Sequence, residues 1–160
     1  MNDTKNMQTI LSRVRRAIDN YHMIDDGDRI AVGVSGGKDS LTLLCALHAL
    51  RRFYPKPFSI VPIFLDTALP GLDPSPLRAL CAELGLELVE VPTGIYTIVF
   101  ELRKEKHPCS LCAMLRRGAL HDAALAQGCR KVALGHHRED AIETLMMSLI
   151  FEGRLHTFHP

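Results

Sequence analysis

Ser35-Gly36-Gly37-Lys38-Asp39-Ser40 is the stretch on which the reading of this chain turns. It follows Arg29 to Val34, a run that passes from alternating to nearly continuous apolar. It precedes Leu41 to Arg52, rich in Leu and Ala, so the local order is strand, tight turn, helix. Such a turn binds phosphate. Adjacent glycines let backbone N–H groups approach an anion with no Cβ in the way, and a helix starting at Asp39 or Ser40 aims its unpaired amides and positive dipole end at the same point. Lys38 adds a mobile positive charge. The bland alternative is a glycine-rich connection, but such turns rarely gather two serines, a lysine and an aspartate around the glycines.

The Walker A pattern G-x-x-x-x-G-K-[ST] fails here. Val32 stands where its first glycine belongs, and Asp39 stands where Ser or Thr would follow the lysine. S-G-G-K-D-S instead resembles the phosphate loop of the PP-loop ATP pyrophosphatases, which cleave ATP between its α and β phosphates and activate a substrate as an adenylate. The resemblance implies a Rossmann-like fold of the adenine nucleotide alpha hydrolase type.

The rest of the chain reads in the same grammar. Met7, Ile10, Leu11, Val14 and Ile18 recur at helical spacing, so about Asp3 to Tyr21 is expected as an amphipathic helix, its other face carrying Lys5, Arg13, Arg15 and Arg16. Those arginines read as a solvated face or as a contact for a polyanion. Asp25 to Asp28 is a turn. Residues 1–27 therefore form an N-terminal helix and turn, and 28–160 the nucleotide-binding domain.

Phe58 to Leu65 is a second strand ending at Asp66. Ser75-Pro76 reads as an N-cap and first helical residue, Leu77, Leu80, Cys81 and Leu84 as a buried stripe, and Gly85 as the stop. Leu86 to Val91 is expected as strand three and Tyr96 to Lys106 as a short helix or irregular arm. A longer helix should open at Cys109 and run to about Gln127, with Gly128 as C-cap and Lys131 to Leu134 as strand four. From Glu139 onward Ile142, Leu145, Met146, Leu149 and Ile150 mark another amphipathic helix. Strands alternating with helices imply right-handed crossovers, hence an α/β fold with a parallel twisted sheet and helices on both faces. Ligands then lie at the carboxyl ends of the strands, where the Ser35 loop and Asp66 fall, although Asp66 serves equally as a turn former.

With 160 residues, 47% hydrophobic and 23% charged, the chain has the makings of one ordinary globular domain. Its longest apolar run, Leu41 to Leu50, is too short to span a bilayer, and no signal peptide is evident, so a cytoplasmic location without membrane contact is expected. A net charge of +1 gives no global case for a nucleic-acid partner. Five cysteines without a secretory signal argue for free, metal-bound or reactive thiols.

Two more stretches carry chemistry. Gly135-His136-His137-Arg138-Glu139-Asp140 is a second strand-to-helix turn, with Asp140 and Thr144 one helical turn apart on one face. Glu139 and Asp140 there also complement the helix dipole. Cys109 and Cys112 stand three apart at a helix start, a setting that turns both sulfurs to one side and favours the thiolate. Structural zinc would need two further ligands, for which His107, His121 or Cys129 are the candidates. A thioredoxin-type pair would follow the first strand, not the third. A cluster with fewer than four protein thiolates is chemically allowed. Cys45 and Cys81 read as packing residues. Arg103, Lys104, Lys106, Arg116 and Arg117 flank the pair against Glu101 and Glu105, which suits either an RNA backbone or solvent.

G-H-H-R-E-D-x-x-x-T resembles the second block of the PP-loop sulfurtransferases, and P-C-S-L-C-x-x-L-R-R-G between the two blocks is similar to the tRNA 2-thiocytidine synthetases. The likeness runs from about Ile18 to the last residues and includes Gly153-Arg154. It implies that Ser35, Gly36, Gly37, Lys38, Asp39 and Ser40 hold the ATP phosphates, with Asp66 and Gly135 also lining the nucleotide. It further implies Lys38, Asp39 and Asp140 as catalytic groups, Mg²⁺ between the phosphates and an acid such as Asp39, and Cys109 and Cys112 as ligands of a [4Fe-4S] cluster. Arg103, Lys104, Arg116 and Arg117 would contact tRNA. The third cluster ligand of that family lies beyond the matched region, so the chain is expected to lack a C-terminal tail and to thiolate poorly alone. The implied partners are tRNA and a sulfur donor such as a cysteine desulfurase, with a homodimer left open. Two rival readings stand beside this one: a PP-loop ligase or amidotransferase using a nitrogen nucleophile, and an inactive nucleotide-binding module.

Overall fold

The structure is a computed structural model and describes residues 2–69, 71–103 and 108–157, with the backbone alone for 2–5. Four strands, β1 (Asp28–Gly33), β2 (Phe58–Asp66), β3 (Val89–Pro92) and β4 (Lys131–Ala133), form a parallel sheet in the order β3-β2-β1-β4. The expected parallel α/β architecture holds.

Alternation along the central strands sorts the core into two layers. Ile30 and Val32 of β1, with Phe58, Ile60 and Phe64 of β2, pack on one face against α1 (Asn2–Tyr21), α2 (Lys38–Leu50) and α3 (Ser75–Glu83) through Ile18, Leu44, Leu47, Leu50, Leu77 and Cys81. Ala31, Val61 and Ile63 point the other way, onto Leu120, Ala124 and Cys129 beside α4 (Pro108–Ala126). Burial raises the thiol pKa of Cys45, Cys81 and Cys129, so these three are packing thiols, as expected for the first two.

Two local expectations are corrected and a third is made specific. Strand three does not begin at Leu86, because the Leu86 amide donates to Cys81 O at 2.8 Å and closes the end of α3, while Leu86 and Leu88 turn into the core. Ser75 is not the N-cap of α3. It is the first helical residue, and its amide donates to Asp73 Oδ1 at 2.9 Å. The segment after β3 is a π-helical turn, Thr97–Leu102, whose closing bond runs from Arg103 N to Ile98 O at 3.0 Å.

The fifth helix, α5 (Arg138–Met147), continues into a second π-helical turn, Ser148–Glu152. Its apolar stripe is present but not buried: Ile142, Met146, Leu149 and Ile150 are 45–66% exposed. Periodicity marks a helix face, and burial requires a surface against it that the described residues do not supply.

α4 runs antiparallel to β1. Arg29, near the start of β1, donates to Gln127 O just past the helix end at 2.7 Å, and Leu120 lies over Gly33 at the strand end. Continuing toward its N-terminus, α4 carries Cys112 about 12 Å and Cys109 about 16 Å beyond Leu120, at 1.5 Å per residue. The helix therefore projects past the carboxyl edge of the sheet, the end at which the Ser35 loop sits.

Candidate functional site

The loop after β1 is shaped by its own residues. Gly36 has φ +80°, the left-handed region that an L side chain enters at a cost, and the space around it is open. Ser40, only 7% exposed, braces the loop from inside: its Oγ donates to Gly37 O at 2.9 Å and accepts from Ser35 N at 3.2 Å. Ser35 Oγ lies 3.2 Å from Ser40 Oγ and 3.4 Å from Gly37 N. Gly37 is the N-cap of α2 and supplies no side chain to its first amides. That helix end leaves its first donors without a side-chain cap, the arrangement that suits an anion. Lys38 extends into solvent, 85% exposed, with Nζ 3.1 Å from Asp39 Oδ1. A triphosphate at the amides would find a cation and a carboxylate at its rim.

The second turn, after β4, lies directly on the first. A Cβ added at Gly135 would sit 2.8 Å from Ser40 N, 2.9 Å from Asp39 C and 3.0 Å from Ser40 Cα, all backbone atoms. Only glycine lets the two turns touch. Gly135 therefore packs the second turn against the base of α2, and this close approach accounts for it. His137 then bridges the pair: its Nε2 is 3.9 Å from Asp39 Oδ2, and its Nδ1 accepts from Asp140 N at 3.4 Å. Asp140 returns the bond, Oδ2 accepting from His137 N at 2.7 Å. This is a capping box with histidine in the place usually held by Ser or Thr. Thr144 Oγ1 donates to Asp140 O at 2.7 Å, so the pair noted in the sequence is joined through the backbone. Glu139 has its pKa lowered, first by a backbone hydrogen bond at its own position and then by Arg138. The motif carries His137 in the sequence, but histidine is not among the preferred N-cap residues, so its cap shows only in the structure.

Asp66 behaves as a turn former. Its Oδ1 accepts from Ala68 N at 2.9 Å, and its carbonyl takes both Thr93 N (2.8 Å) and Thr93 Oγ1 (3.0 Å), tying the ends of β2 and β3 together. It stands at the carboxyl edge of the sheet, at the end of β2, which neighbours the strand that carries the Ser35 loop.

Cys109 is exposed and Cys112 half-buried in the first turns of α4, with exposed Arg116 and Arg117 one to two turns on. Cys109, Cys112 and Arg116 share a face at i, i+3 and i+7. Two thiols on one side of a helix N-terminus suit two ligands of an iron–sulfur cluster. Among the described residues no group of three His, Cys, Asp or Glu converges, so a third protein ligand is not assembled there. Arg103 closes the π-helical turn packed against α4, and Lys104, the remaining expected RNA contact, lies outside the described residues. Lys106 and His107 lie outside them too. No helix among the described residues is long and apolar enough to cross a membrane.

An uncapped, glycine-turned helix start, with a second turn clamped against it at the carboxyl edge of a parallel sheet, is an arrangement in keeping with the PP-loop proteins. Residues 6–157 match the PP-loop domain family, and the chain belongs to it. The chain is 45% identical over 152 residues to the tRNA-cytidine(32) 2-sulfurtransferase of Geotalea daltonii, covering 94% of this chain and 60% of that protein. It is 43% identical to that of Photorhabdus laumondii, covering 97% and 52%. Among solved structures it is similar to the U34-tRNA thiolase NcsA from Methanococcus maripaludis with its [4Fe-4S] cluster, at TM-score 0.78 and 25% identity over 93% of this chain and 51% of that one. The chain thus spans between half and three fifths of the length of these proteins.

Proposed function

We propose that this chain carries the ATP site and part of the sulfur site of an enzyme that thiolates a tRNA cytidine. The observation that carries the reading is positional: the uncapped start of α2 and the cysteine pair of α4 project from the same end of one sheet, in a chain whose relatives are named for that reaction. Adenylation and sulfur delivery need such a neighbourhood, because the activated base must meet both.

The chemistry follows from what each group offers. Amides of the Ser35–Ser40 loop and the Lys38 ammonium orient the triphosphate, and Asp39 would hold a Mg²⁺ ion, which would supply charge neutralisation at the phosphates. The C2 oxygen of the cytidine attacks the α-phosphorus, the bond to the bridging oxygen breaks, and pyrophosphate leaves. Sulfide-level sulfur, HS⁻, formed from a donor persulfide by a two-electron thiol reductant, then adds at C2; AMP departs with the former C2 oxygen and the sulfur's proton passes to solvent, leaving 2-thiocytidine. When bound at Cys109 and Cys112, a [4Fe-4S] cluster would supply a place to hold that sulfur. Asp140, fixed by its capping box with His137, would act on the leaving phosphates or on the base. Arg103, Lys104, Arg116 and Arg117 would neutralise tRNA phosphates. A cysteine desulfurase is a fitting sulfur donor, a second copy of the chain a compatible partner, and the cytoplasm the matching location.

The test is product analysis with ATP, Mg²⁺ and tRNA. AMP and pyrophosphate, dependent on tRNA and abolished by Lys38→Ala, support the reading; ADP and free phosphate would sink it. One observation favours a second reading, an ATP-binding module that needs another polypeptide for its sulfur step: the absence of a third converging ligand among the described residues. Iron and sulfide measured after anaerobic reconstitution of wild type and of Cys109→Ala/Cys112→Ala separate the two.

A further inference from the structure

We propose that Tyr96 and Phe100 form a stacking platform for an unpaired RNA nucleobase at the carboxyl edge of the sheet, between the Asp66 turn and the cysteine-bearing helix. The inference rests on the RNA reading above and names the place where the acceptor base would lie.

The two rings are four residues apart, their centroids 5.1 Å from each other and their planes inclined by 31°. Their neighbours are anchors: Ile95 is 4% exposed and Val99 fully buried. The turn is therefore pinned by Ile95 and Val99 while the next residue after each is displayed. Phe100 is 45% exposed and Tyr96 half-buried beneath it. A large aromatic surface on a rigid turn, backed by a second ring, has one face left for a planar partner.

Its place in the fold restricts what that partner is. Tyr96 N donates to Thr67 O at 3.2 Å, and Thr93 is bonded twice to Asp66 O, so the turn sits over the ends of β2 and β3. Ligands of open parallel sheets bind at that edge. β3 lies two strands from β1, about 10 Å sideways from the phosphate loop. The turn also packs against α4, whose first residues carry Cys109 and Cys112. A base due to receive sulfur has to lie near those thiols, whereas the adenine of ATP has no such requirement. Charge agrees in the main: Arg103 follows the platform and Arg116 and Arg117 stand on the adjoining helix, opposed on the turn by Glu101. π-Helical turns recur at functional sites, and single-stranded RNA is recognised by splaying bases onto aromatic rings.

The experiment uses the whole chain with two fluorescent probes, a short oligocytidylate and an abasic ribose-phosphate oligomer of equal length, read by anisotropy, with ATP affinity by calorimetry. Phe100→Leu keeps apolar bulk and loses the ring. It should weaken oligocytidylate binding roughly tenfold, the scale of one base on one ring, and leave the abasic oligomer and ATP unchanged. Phe100→Trp should bind oligocytidylate at least as well as wild type, its indole fluorescence quenched by the bound base. The platform is overturned if Phe100→Leu binds oligocytidylate like wild type, which would make Phe100 a generic apolar contact. Equal loss on both oligomers, or a parallel loss of ATP affinity that makes adenine the occupant, overturns it as well. A wild-type chain that binds neither oligomer removes the RNA reading itself, an outcome distinct from failure of the platform alone.

Discussion

Two helices of this molecule begin the same way in topology and oppositely in chemistry. α2 and α5 each follow a parallel strand through a glycine turn, and the two turns touch. At α2 the N-cap is a glycine and no side chain meets the first amides. At α5 the His137 ring takes the Asp140 amide and the Asp140 carboxylate takes the His137 amide. A strand, a glycine and a helix thus recur at both turns, and what differs is whether a side chain claims the helix's amides. The second turn packs under the first and brings His137 to Asp39, at 3.9 Å.

The largest expected effect comes from forcing the turns apart. Gly135→Ala drives a methyl into the backbone of Asp39 and Ser40, which cannot give way as a side chain would. We expect a loss of about 1–3 kcal/mol in urea denaturation, the range for overpacked sites, together with loss of ATP binding. Gly33→Ala is the control, since its methyl meets the side-chain tips of Leu134 and Leu120, which can move. If Gly135→Ala binds ATP normally, the turns are not coupled.

Lys38→Ala and Arg138→Ala sharpen the comparison, because each removes an exposed cation from the start of one of the two helices. Losing a charge-assisted hydrogen bond is worth about 1.5–3 kcal/mol, so Lys38→Ala should weaken ATP by roughly ten- to a hundredfold with the melting temperature unchanged. Arg138→Ala should leave ATP affinity where it was. Equal losses would mean that both helix starts bind phosphate.

Caps give the next effect down. His137→Ala should cost about 1 kcal/mol of stability as an N-cap, and His137→Asn, whose side chain also caps, should restore most of it. Asn is too short to preserve the approach to Asp39. A difference between wild type and His137→Asn in Mg²⁺ dependence of ATP binding, measured by titration, would therefore report that approach and not the cap.

What the sequence allowed to be read follows this same division. The Ser35–Ser40 turn was legible because its geometry is local: two glycines, a strand before and a helix after decide it without help from the rest of the chain. The capping role of His137 was not, since the usual signature is Ser or Thr followed by Glu or Gln. The helical period of α5 was legible, but whether Ile142 and Met146 are buried depends on a surface elsewhere. Asp66 was ambiguous because one residue type builds turns and binds ligands alike, and its bond to Ala68 N shows the turn alone. Tyr96 and Phe100 carried a readable signal, two aromatics at i and i+4 beside apolar Ile95 and Val99. It was overlooked because the segment reads as an irregular arm.

The smallest effect should appear at the opposite end of the sheet, and it separates stability from function. Lys131 Nζ bonds Asp25 Oδ2 at 2.8 Å and Asp28 Oδ2 at 2.7 Å, joining the starts of β1 and β4. Its hydrogen bonds hold both carboxyl pKa values below the ordinary aspartate value. A depressed carboxylate contributes stability above its unfolded pKa, about 3.9, and loses it as pH falls through the folded value. The same bonds raise the Lys131 pKa, so its share is present below its unfolded pKa and goes only as pH rises through the raised value. Urea midpoints taken from about pH 6 to about pH 3 should therefore fall more steeply for wild type than for Lys131→Met, with unfolded carboxylates titrating near 3.9. Both proteins should bind ATP equally at neutral pH, because neither nucleotide turn touches this cluster. A Lys131→Met chain with parallel midpoints would show that the far-end ion cluster is exposed enough to contribute nothing. One with weakened ATP binding would show that the strand starts are coupled to the turns through the length of β1 and β4.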